Sequence, residues 1–317
     1  MIETKRPPQN IRREIITLSS GDTGTGGGTG TGGGTGTGGG TESGGGTDLA
    51  LHLWRPRGES KGAVFYFHGL QSHAGWLWEV GPRFADNDIA FFVLDRRGSG
   101  ISGGERSDIP DVETIIADYV NALEYVRNWL GDDAPLSLFG HCLGGSFLAA
   151  LMHHPSFTVR YDAAIFCSTW LGRLHAVLGE EERTALAAER SQEPWDAGLK
   201  ATDFTSDPAY QHFIDHDDLA VRQLTRRSRA TLLALERLYL DPGRQLPDVP
   251  AAFVSGLTDP IVDLDATRQV FHELVPCRGV AVQFPTDRHY LFYTDVRDEV
   301  VDWASTYTLL QGVNRDA

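Results

Sequence analysis

Short apolar runs alternate with stretches of helical periodicity over most of this chain. Runs of four to six apolar residues predict buried strands, and apolar positions three and four residues apart predict amphipathic helices. Strands that alternate with helices indicate a mostly parallel sheet covered by helices on both faces. The predicted strands are 63–67, 89–94, 136–139, 163–167, 250–255 and 280–284, and the predicted helices are 76–86, 112–130, 142–153 and one after each of the last two strands.

Two regions depart from this alternation. Residues 11–18 and 49–54 are strand-like and predict an antiparallel pair. Residues 170–247 are helical, polar and rich in Ala, Arg and Glu, and contain no convincing strand. We predict that this stretch is a helical lid, inserted between two sheet strands, that selects the substrate and excludes water. The predicted organisation is an N-terminal strand region at 1–20, a loop at 21–47, an α/β core at 48–169 and 248–317, and the lid at 170–247.

The loop at 21–47 consists almost entirely of Gly and Thr. The unit Thr-Gly-Thr-Gly-Gly-Gly occurs three times, at 23–28, 29–34 and 35–40. Glycine loses the most backbone entropy on ordering, and the tract has no apolar side chain whose burial would compensate. We therefore predict a flexible loop. The alternative, a glycine-rich anion cradle, lacks the lysine and the following helix of a phosphate loop.

Composition narrows the class of protein. The 317 residues carry a net charge of −15, which disfavours nucleic acid and anionic membrane surfaces as partners. Three cysteines, without metal-ligand spacing, predict neither a disulfide framework nor a metal site and favour a reducing compartment. The sequence shows neither a signal peptide nor an apolar run long enough to cross a membrane. These features predict a cytoplasmic protein without membrane insertion.

The motif Gly140-His-Cys142-Leu-Gly144 follows an apolar strand and opens a helix. This strand–turn–helix context is typical of a nucleophile elbow, with cysteine where serine usually stands. Gly140 and Gly144 leave room where the turn and the helix pack closely, and Gly145 lets the helix approach the sheet. The start of a helix also favours a thiolate. We predict Cys142 as the nucleophile; the alternative is a buried structural cysteine.

Acyl transfer also requires a base and an acid that orients it. His289 follows the last predicted strand and precedes a C-terminal helix, so its loop can carry an imidazole to the elbow. Asp259 directly follows another strand and is the candidate orienting acid, with Asp263 and Asp265 as rivals in the next predicted helix. His141 also lies in the elbow, but we expect its side chain to point away from the nucleophile.

Backbone amides are the expected donors to the oxyanion of a tetrahedral intermediate. Leu143, the residue after the candidate nucleophile, would supply one amide. Leu70, in the loop after the strand at 63–67, would supply the other, and His68 and Gly69 would shape that turn. The alternative for this loop is an ordinary turn at the end of a strand.

The predicted lid contains a group of arginines that could bind a carboxylate or the phosphate of a carrier. The alternative is a solvated face of a lid helix. The four arginines are Arg222, Arg226, Arg227 and Arg229.

In their order and spacing these motifs resemble the α/β-hydrolase superfamily, in particular its monoacylglycerol-lipase and S33 aminopeptidase-like branch. The resemblance covers about 48–311 except the lid. It implies an α/β-hydrolase fold, a mostly parallel sheet flanked by helices with an inserted helical lid. The matching segments are His68-Gly-Leu-Gln-Ser-His73, Asp95-Arg-Arg-Gly-Ser-Gly-Ile-Ser102, the elbow, and the loops of Asp259 and His289.

One departure from that branch decides the predicted chemistry. Most of its members have serine at the position of Cys142, whereas the superfamily also includes members with a cysteine nucleophile, such as dienelactone hydrolases, polyhydroxyalkanoate synthases and some thioesterases. Because a thiolate leaves a tetrahedral intermediate more readily than an alkoxide, cysteine favours an activated acyl donor or an acceptor other than water. We therefore predict a Cys142–His289–Asp259 triad that cleaves or transfers the acyl group of a small-molecule ester or thioester, free or carrier-bound, with no metal or organic cofactor.

Several alternatives stay open at this point. The chain could be an acyltransferase, a cyclase or an eliminating enzyme of a biosynthetic pathway. It could also be a ligand-binding or scaffolding protein with a degenerate hydrolase site. The cysteine itself could be an engineered replacement of serine or a mark of drift away from hydrolysis.

Overall fold

An eight-stranded sheet forms the centre of the protein, whose computed structural model describes residues 11–20, 46–240, 249–275 and 279–313. The strands are β1 (Arg13–Ser20), β2 (Thr47–Trp54), β3 (Gly62–Phe67), β4 (Ile89–Leu94), β5 (Leu136–His141), β6 (Ala163–Cys167), β9 (Ala251–Ser255) and β10 (Gly279–Gln283). Two short strands, β7 (Pro194–Asp196) and β8 (Gln223–Thr225), lie outside this sheet. Their spatial order is β1-β2-β4-β3-β5-β6-β9-β10. Strand β2 is antiparallel to β1 and β4, and all other neighbours are parallel, so the predicted mostly parallel sheet is confirmed.

Helices cover both faces of the sheet. They are α1 (Val80–Asp86), α2 (Val112–Leu130), α3 (Leu143–His153), α4 (Arg173–Val177), α5 (Glu180–Ala187), α6 (Ala201–Phe204), α7 (Pro208–His216), α8 (Arg226–Leu240), α9 (Leu264–Leu274) and α10 (Arg297–Val313). Alternate residues of β3 belong to two different apolar clusters, with Phe65 and Phe67 in one and Val64 and Tyr66 in the other. Both faces of the central strands are therefore buried, which is why these strands read as continuous apolar runs rather than alternating ones.

The helix predicted over 76–86 is wrong in its first half. A short 3-10 turn occupies Ala74–Leu77, and the α-helix begins only at Val80. Pro82 accounts for the later start, because proline has no N–H and its ring clashes with the carbonyl four residues earlier. Proline is tolerated in the first turn of a helix, where Pro82 stands, but not in the interior where a helix from residue 76 would place it.

The stretch between β6 and β9, which we call the insertion, carries helices α4 to α8. It also contains two three-residue strands, β7 (Pro194–Asp196) and β8 (Gln223–Thr225), which pair antiparallel. The prediction that this stretch holds no strand was therefore wrong. Three residues are too few to show a period of two in the sequence, and the pairing joins segments far apart along the chain.

A single guanidinium joins the two strands that flank the Gly/Thr-rich tract. Arg97 donates to both carboxylate oxygens of Asp118, at 2.9 and 2.7 Å, and also to the hydroxyls of Ser20 and Thr47. Ser20 and Thr47 are the last register pair of the predicted β1–β2 hairpin, which is confirmed. The predicted flexible loop at 21–47 lies outside the described residues except for its last two positions, of which Thr47 begins β2.

Replacing residues 21–46 by Asn-Gly is expected to leave the fold and the reactivity of Cys142 unchanged. A two-residue Asn-Gly turn matches the twist of an antiparallel pair, and Ser20 and Thr47 already face each other. Closing a loop of 26 residues costs roughly 2 kcal/mol more than closing one of two. The shortened protein should therefore melt at a higher temperature in calorimetry. A lower melting temperature would show that the tract itself contributes to stability.

Candidate active site

Strand β5 and helix α3 meet in a sharp turn at Cys142. The residue has φ 53° and ψ −125°, a backbone conformation that residues with a side chain rarely adopt. Its carbonyl accepts hydrogen bonds from the amides of Gly145 and Trp170, at 3.1 and 2.9 Å, which hold the turn from both sides. Strain of this kind at the junction of a strand and a helix is the geometry of a nucleophile elbow.

Close packing around this turn accounts for the three glycines of the motif. A Cβ on Gly140 would lie 2.6 Å from the Cα of Gly145, and one on Gly144 would lie 2.0 Å from the carbonyl oxygen of Phe67. A Cβ on Gly145 would lie 1.6 Å from the hydroxyl of Thr169. The elbow can therefore approach the ends of β3 and β6 only with glycine at these three positions.

The loops after β9 and β10 bring a carboxylate and an imidazole together. Nδ1 of His289 lies 2.8 Å from Oδ2 of Asp259, and neither side chain has any exposed area. The other oxygen, Oδ1, accepts from the amides of Ile261 and Val262, at 2.8 and 2.9 Å. With one oxygen fixed by the backbone, the other is oriented toward the imidazole and holds the proton on Nδ1.

The second nitrogen of His289 is available to the elbow. Nε2 is buried and makes no well-aligned hydrogen bond to the described residues. Burial favours the neutral imidazole, but the neighbouring Cys142 side chain and the Asp259 carboxylate together raise the pKa of His289 well above its ordinary value. Conversely, although burial opposes its charge, the pKa of Asp259 is lowered by His289 and the two amides. Cys142 and Asp259 therefore both act on the charge of His289, and His289 in turn acts on that of Asp259.

The two rival carboxylates lie elsewhere. Asp263 is the N-cap of α9 and accepts a hydrogen bond from the amide of Ala266 at 3.0 Å. Asp265 pairs with Arg268 on the exposed side of the same helix, at 3.1 Å. Neither side chain contacts His289 in the described structure, so the geometry favours Asp259 as its partner.

The loop after β3 approaches Cys142 closely. A Cβ added to Gly69 would lie 3.2 Å from Cβ and 3.6 Å from Sγ of Cys142. The Gly69 amide donates to the Ser72 hydroxyl at 3.1 Å, and the Gly69 carbonyl faces Nδ1 of His68 at 2.8 Å. Among the described residues, the amides of Leu70 and Leu143 have no hydrogen-bond acceptor. This arrangement leaves both amides free to bind an anionic oxygen.

Two buried polar residues lie behind this loop, and the sequence indicated a role for His68 but not for Arg96. The Arg96 amide donates to Nε2 of His68 at 3.0 Å, so Nδ1 carries the proton, and the pKa of His68 is lowered to about 3 by burial and by the Arg96 charge. The Arg96 guanidinium contacts the carbonyls of Gly69 and Leu70, at 3.4 Å each. The Arg96 guanidinium thus links the two carbonyls of the loop to the loop after β4. Arg96 lies within the motif from Asp95 to Ser102, and that position is the signal by which its role could be found from the sequence.

Residues 217–221 of the insertion contact the segment that follows β3. The carboxylate of Asp217 accepts from His73 at 2.9 Å and from the indole of Trp76 at 2.6 Å, and the Val221 amide donates to the carbonyl of Gln71 at 3.2 Å. Cys142 is only 2% exposed and His289 is fully buried. The insertion therefore lies over the loop that carries Leu70.

Contacts within the protein occupy most of the arginines of the insertion. Arg227 pairs with Asp108, at 2.8 and 2.5 Å, and fixes α8 to the loop before α2. Arg222 donates to carbonyls at the end of α7, and Arg229 lies 5.0 Å from the ring centre of Trp195. Three of the four arginines therefore have partners within the protein, and their positions do not require a carboxylate or phosphate of a ligand.

Comparison with known proteins extends the match beyond these motifs. The family described as Serine aminopeptidase, S33, matches residues 58–295, about three quarters of the chain. Monoacylglycerol lipase of Mycolicibacterium smegmatis is 31% identical over 98 residues, which are 31% of this chain and 35% of that protein. Caffeoylshikimate esterase of Arabidopsis thaliana is 33% identical over 103 residues, which are 31% of this chain and 30% of that protein. The chain thus spans about a third of the length of these curated relatives.

Solved structures support the fold independently. A soluble variant of monoglyceride lipase from Saccharomyces cerevisiae superposes with a TM-score of 0.73 at 20% identity, covering 85% of this chain and 94% of that one. A carboxyl esterase from Bacillus coagulans superposes with a TM-score of 0.70 at 16% identity, covering 94% of this chain and 98% of that one. At such identities the likeness shows the fold alone. None of the helices in the described part of the chain combines the length and the apolar character that a membrane span requires. The chain has the α/β-hydrolase fold and belongs to the serine aminopeptidase S33 family.

Proposed function

We propose that this protein is an acyl hydrolase that cleaves a small-molecule ester or thioester through a Cys142–His289–Asp259 triad. The observation that carries the proposal is the buried Asp259–His289 pair beside a cysteine on a strained elbow. This combination of nucleophile, base and orienting group is what acyl transfer requires. The relatives named as lipases and esterases support the same class of reaction.

The proposed reaction has two halves. The thiolate of Cys142 attacks the acyl carbon, and the amides of Leu70 and Leu143 bind the oxyanion that forms. As the intermediate collapses, His289 gives its Nε2 proton to the departing alcohol or thiol, and a thioester joins the acyl group to Cys142. Water then attacks this thioester and loses a proton to His289. The free acid leaves, and the thiolate and the imidazolium are restored.

We also propose that the insertion is a lid. Its contacts through Asp217 and Val221 fix it over the loop that carries Leu70, and the nucleophile beneath is almost fully buried. Exclusion of water strengthens the interaction of the oxyanion with its two amides. Release of Asp217 from His73 and Trp76 would be the step that admits the substrate.

The thiol at position 142 favours acyl transfer as a second candidate function. A thioester intermediate is close in free energy to a thioester substrate, so an amine, alcohol or thiol acceptor can compete with water. Hydrolysis yields only the free acid, whereas transfer yields a second product whose mass includes the acceptor.

A reactive thiol remains reduced in a reducing compartment such as the cytoplasm, which we propose as the site of action.

Intact-mass spectrometry after incubation with a panel of acyl-CoA thioesters and p-nitrophenyl esters tests the proposal. We expect one acyl mass to be added to the wild-type chain and none to the Cys142→Ala variant. Cys167 provides an internal control, because it is buried and its burial raises the pKa of its thiol well above the ordinary value. An acyl mass that persists in Cys142→Ala would place the nucleophile elsewhere. The absence of any acyl mass and of any product would favour a ligand-binding protein.

A further inference from the structure

His141, which precedes the candidate nucleophile, is a buried histidine that the proposed reaction does not use. Its Nε2 lies 3.3 Å from the carbonyl oxygen of His289, and the two ring centres are 5.0 Å apart. His141 is only 1% exposed and His289 is fully buried, so water does not compete for this contact. Because a carbonyl can only accept, Nε2 of His141 carries the proton and donates it.

The surroundings of His141 keep it neutral. Burial is the largest cause that lowers its pKa to about 3, and the charge of His289 lowers it further, against smaller opposite effects of the His289 carbonyl and of Asp259. Tyr66 stacks on the imidazole, with ring centres 6.4 Å apart, and Tyr290 meets it edge-on at 4.8 Å. The bond from His141 to the His289 carbonyl therefore does not change with pH in the neutral range.

The insertion binds the other backbone group of His289, its amide. The His289 amide donates to the carbonyl of Asp203 at 3.1 Å, and the next amide, that of Tyr290, donates to the carbonyl of Phe204 at 3.1 Å. The ring of Phe204 also meets the imidazole of His289, with centres 5.7 Å apart. Both backbone groups of His289 are thus fixed, one by helix α6 and the other by a side chain of the elbow.

We infer that His141 is a positioning residue that fixes the loop of the catalytic base relative to the nucleophile. The inference rests on the proposed role of His289 and adds to it a direct link from the elbow. Residues 141 and 142 are consecutive, so any displacement of the elbow moves the Cys142 sulfur and the donor to His289 together. A displacement of about 1 Å between reacting groups can lower a rate about a hundredfold, and this link opposes such a displacement.

Two amide variants of His141 test the inference. In His141→Gln the side-chain amide nitrogen can occupy the place of Nε2 and still donate to the carbonyl. In His141→Asn the amide is of the same type but too short to reach it. The readout is the rate at which iodoacetamide alkylates Cys142 between pH 6 and 9, followed by intact mass. This measurement needs no knowledge of the substrate.

We expect alkylation at pH 6 to slow about tenfold in His289→Ala and at least fivefold in His141→Asn, with His141→Gln within twofold of wild type. Once a substrate is known, His141→Asn should lower kcat with KM within twofold. His141→Leu, which has no donor, replaces the Asn variant if that variant does not fold. If only His289→Ala slows alkylation, the positioning role is overturned and the proposed function stands. If His289→Ala itself reacts as fast as wild type, both are overturned.

Discussion

Replacing Cys142 by alanine is expected to lower kcat for the best ester of a p-nitrophenyl panel by roughly a thousandfold or more. The variant loses the atom that would form the covalent intermediate, and loss of a triad nucleophile has effects of this size or larger in hydrolases. The measurement is release of p-nitrophenol under saturating substrate. Because Cys142 is the N-cap residue of α3 and makes no side-chain cap, the variant should fold normally.

Cys142→Ser is the matched control for this experiment. It keeps a nucleophile on the same elbow, with the same base 147 residues later in the chain. An alkoxide is a poorer leaving group than a thiolate, so the serine variant should favour oxygen esters over thioesters relative to wild type. A similar ratio of thioester to ester turnover in the two proteins would contradict the assignment of substrate preference to the sulfur. Full activity in Cys142→Ala would contradict the triad itself.

Replacing Asp259 by asparagine is expected to lower kcat/KM by roughly 10²- to 10⁴-fold. An amide can donate to Nδ1 of His289, which would stabilise the tautomer with its proton on Nε2 and leave no acceptor for the Cys142 proton. The variant also removes the negative charge that helps to raise the pKa of His289. Alkylation of Cys142 at pH 6 should therefore fall in parallel with turnover.

Asp263→Asn provides a control from the same loop region. Asp263 caps α9 through a hydrogen bond to the Ala266 amide, and asparagine is an equally good cap. Its kcat/KM should stay within twofold of wild type, with little change in melting temperature. A loss in Asp263→Asn as large as that in Asp259→Asn would show that the orienting carboxylate has been assigned to the wrong residue.

The fold could be predicted from the sequence where local pattern and burial agree. The strands at 89–94 and 163–167 have the predicted bounds because each is a continuous apolar run, and the helix at 112–130 has them because it is long enough for its helical period to show. The prediction failed where the structure of a segment depends on residues outside that segment. The short strands β7 and β8 stabilise each other across the insertion, and the break before α1 depends on the place of Pro82 in its first turn.

The candidate site shows the same division. The residues Cys142, Asp259 and His289 could be selected because each follows a strand of a parallel sheet, so their loops meet at one edge. His141 ends a strand and gave no such signal, and the position of Arg96 after β4 did not show what its side chain would contact. His141 and Arg96 are polar residues within apolar surroundings, and only the three-dimensional structure shows that they face the backbone carbonyls of His289, Gly69 and Leu70.

The hydrogen bonds of Arg97 to both strands also make the β1–β2 junction a suitable place to insert another protein domain. Ser20 and Thr47 are paired across the hairpin and fixed by one guanidinium that Asp118 holds in place. A guest domain whose own termini lie close together could therefore be joined between them without pulling the host strands apart. Such a chimaera would present its guest from a rigid base, and a fluorescent guest would report where the enzyme is in a cell.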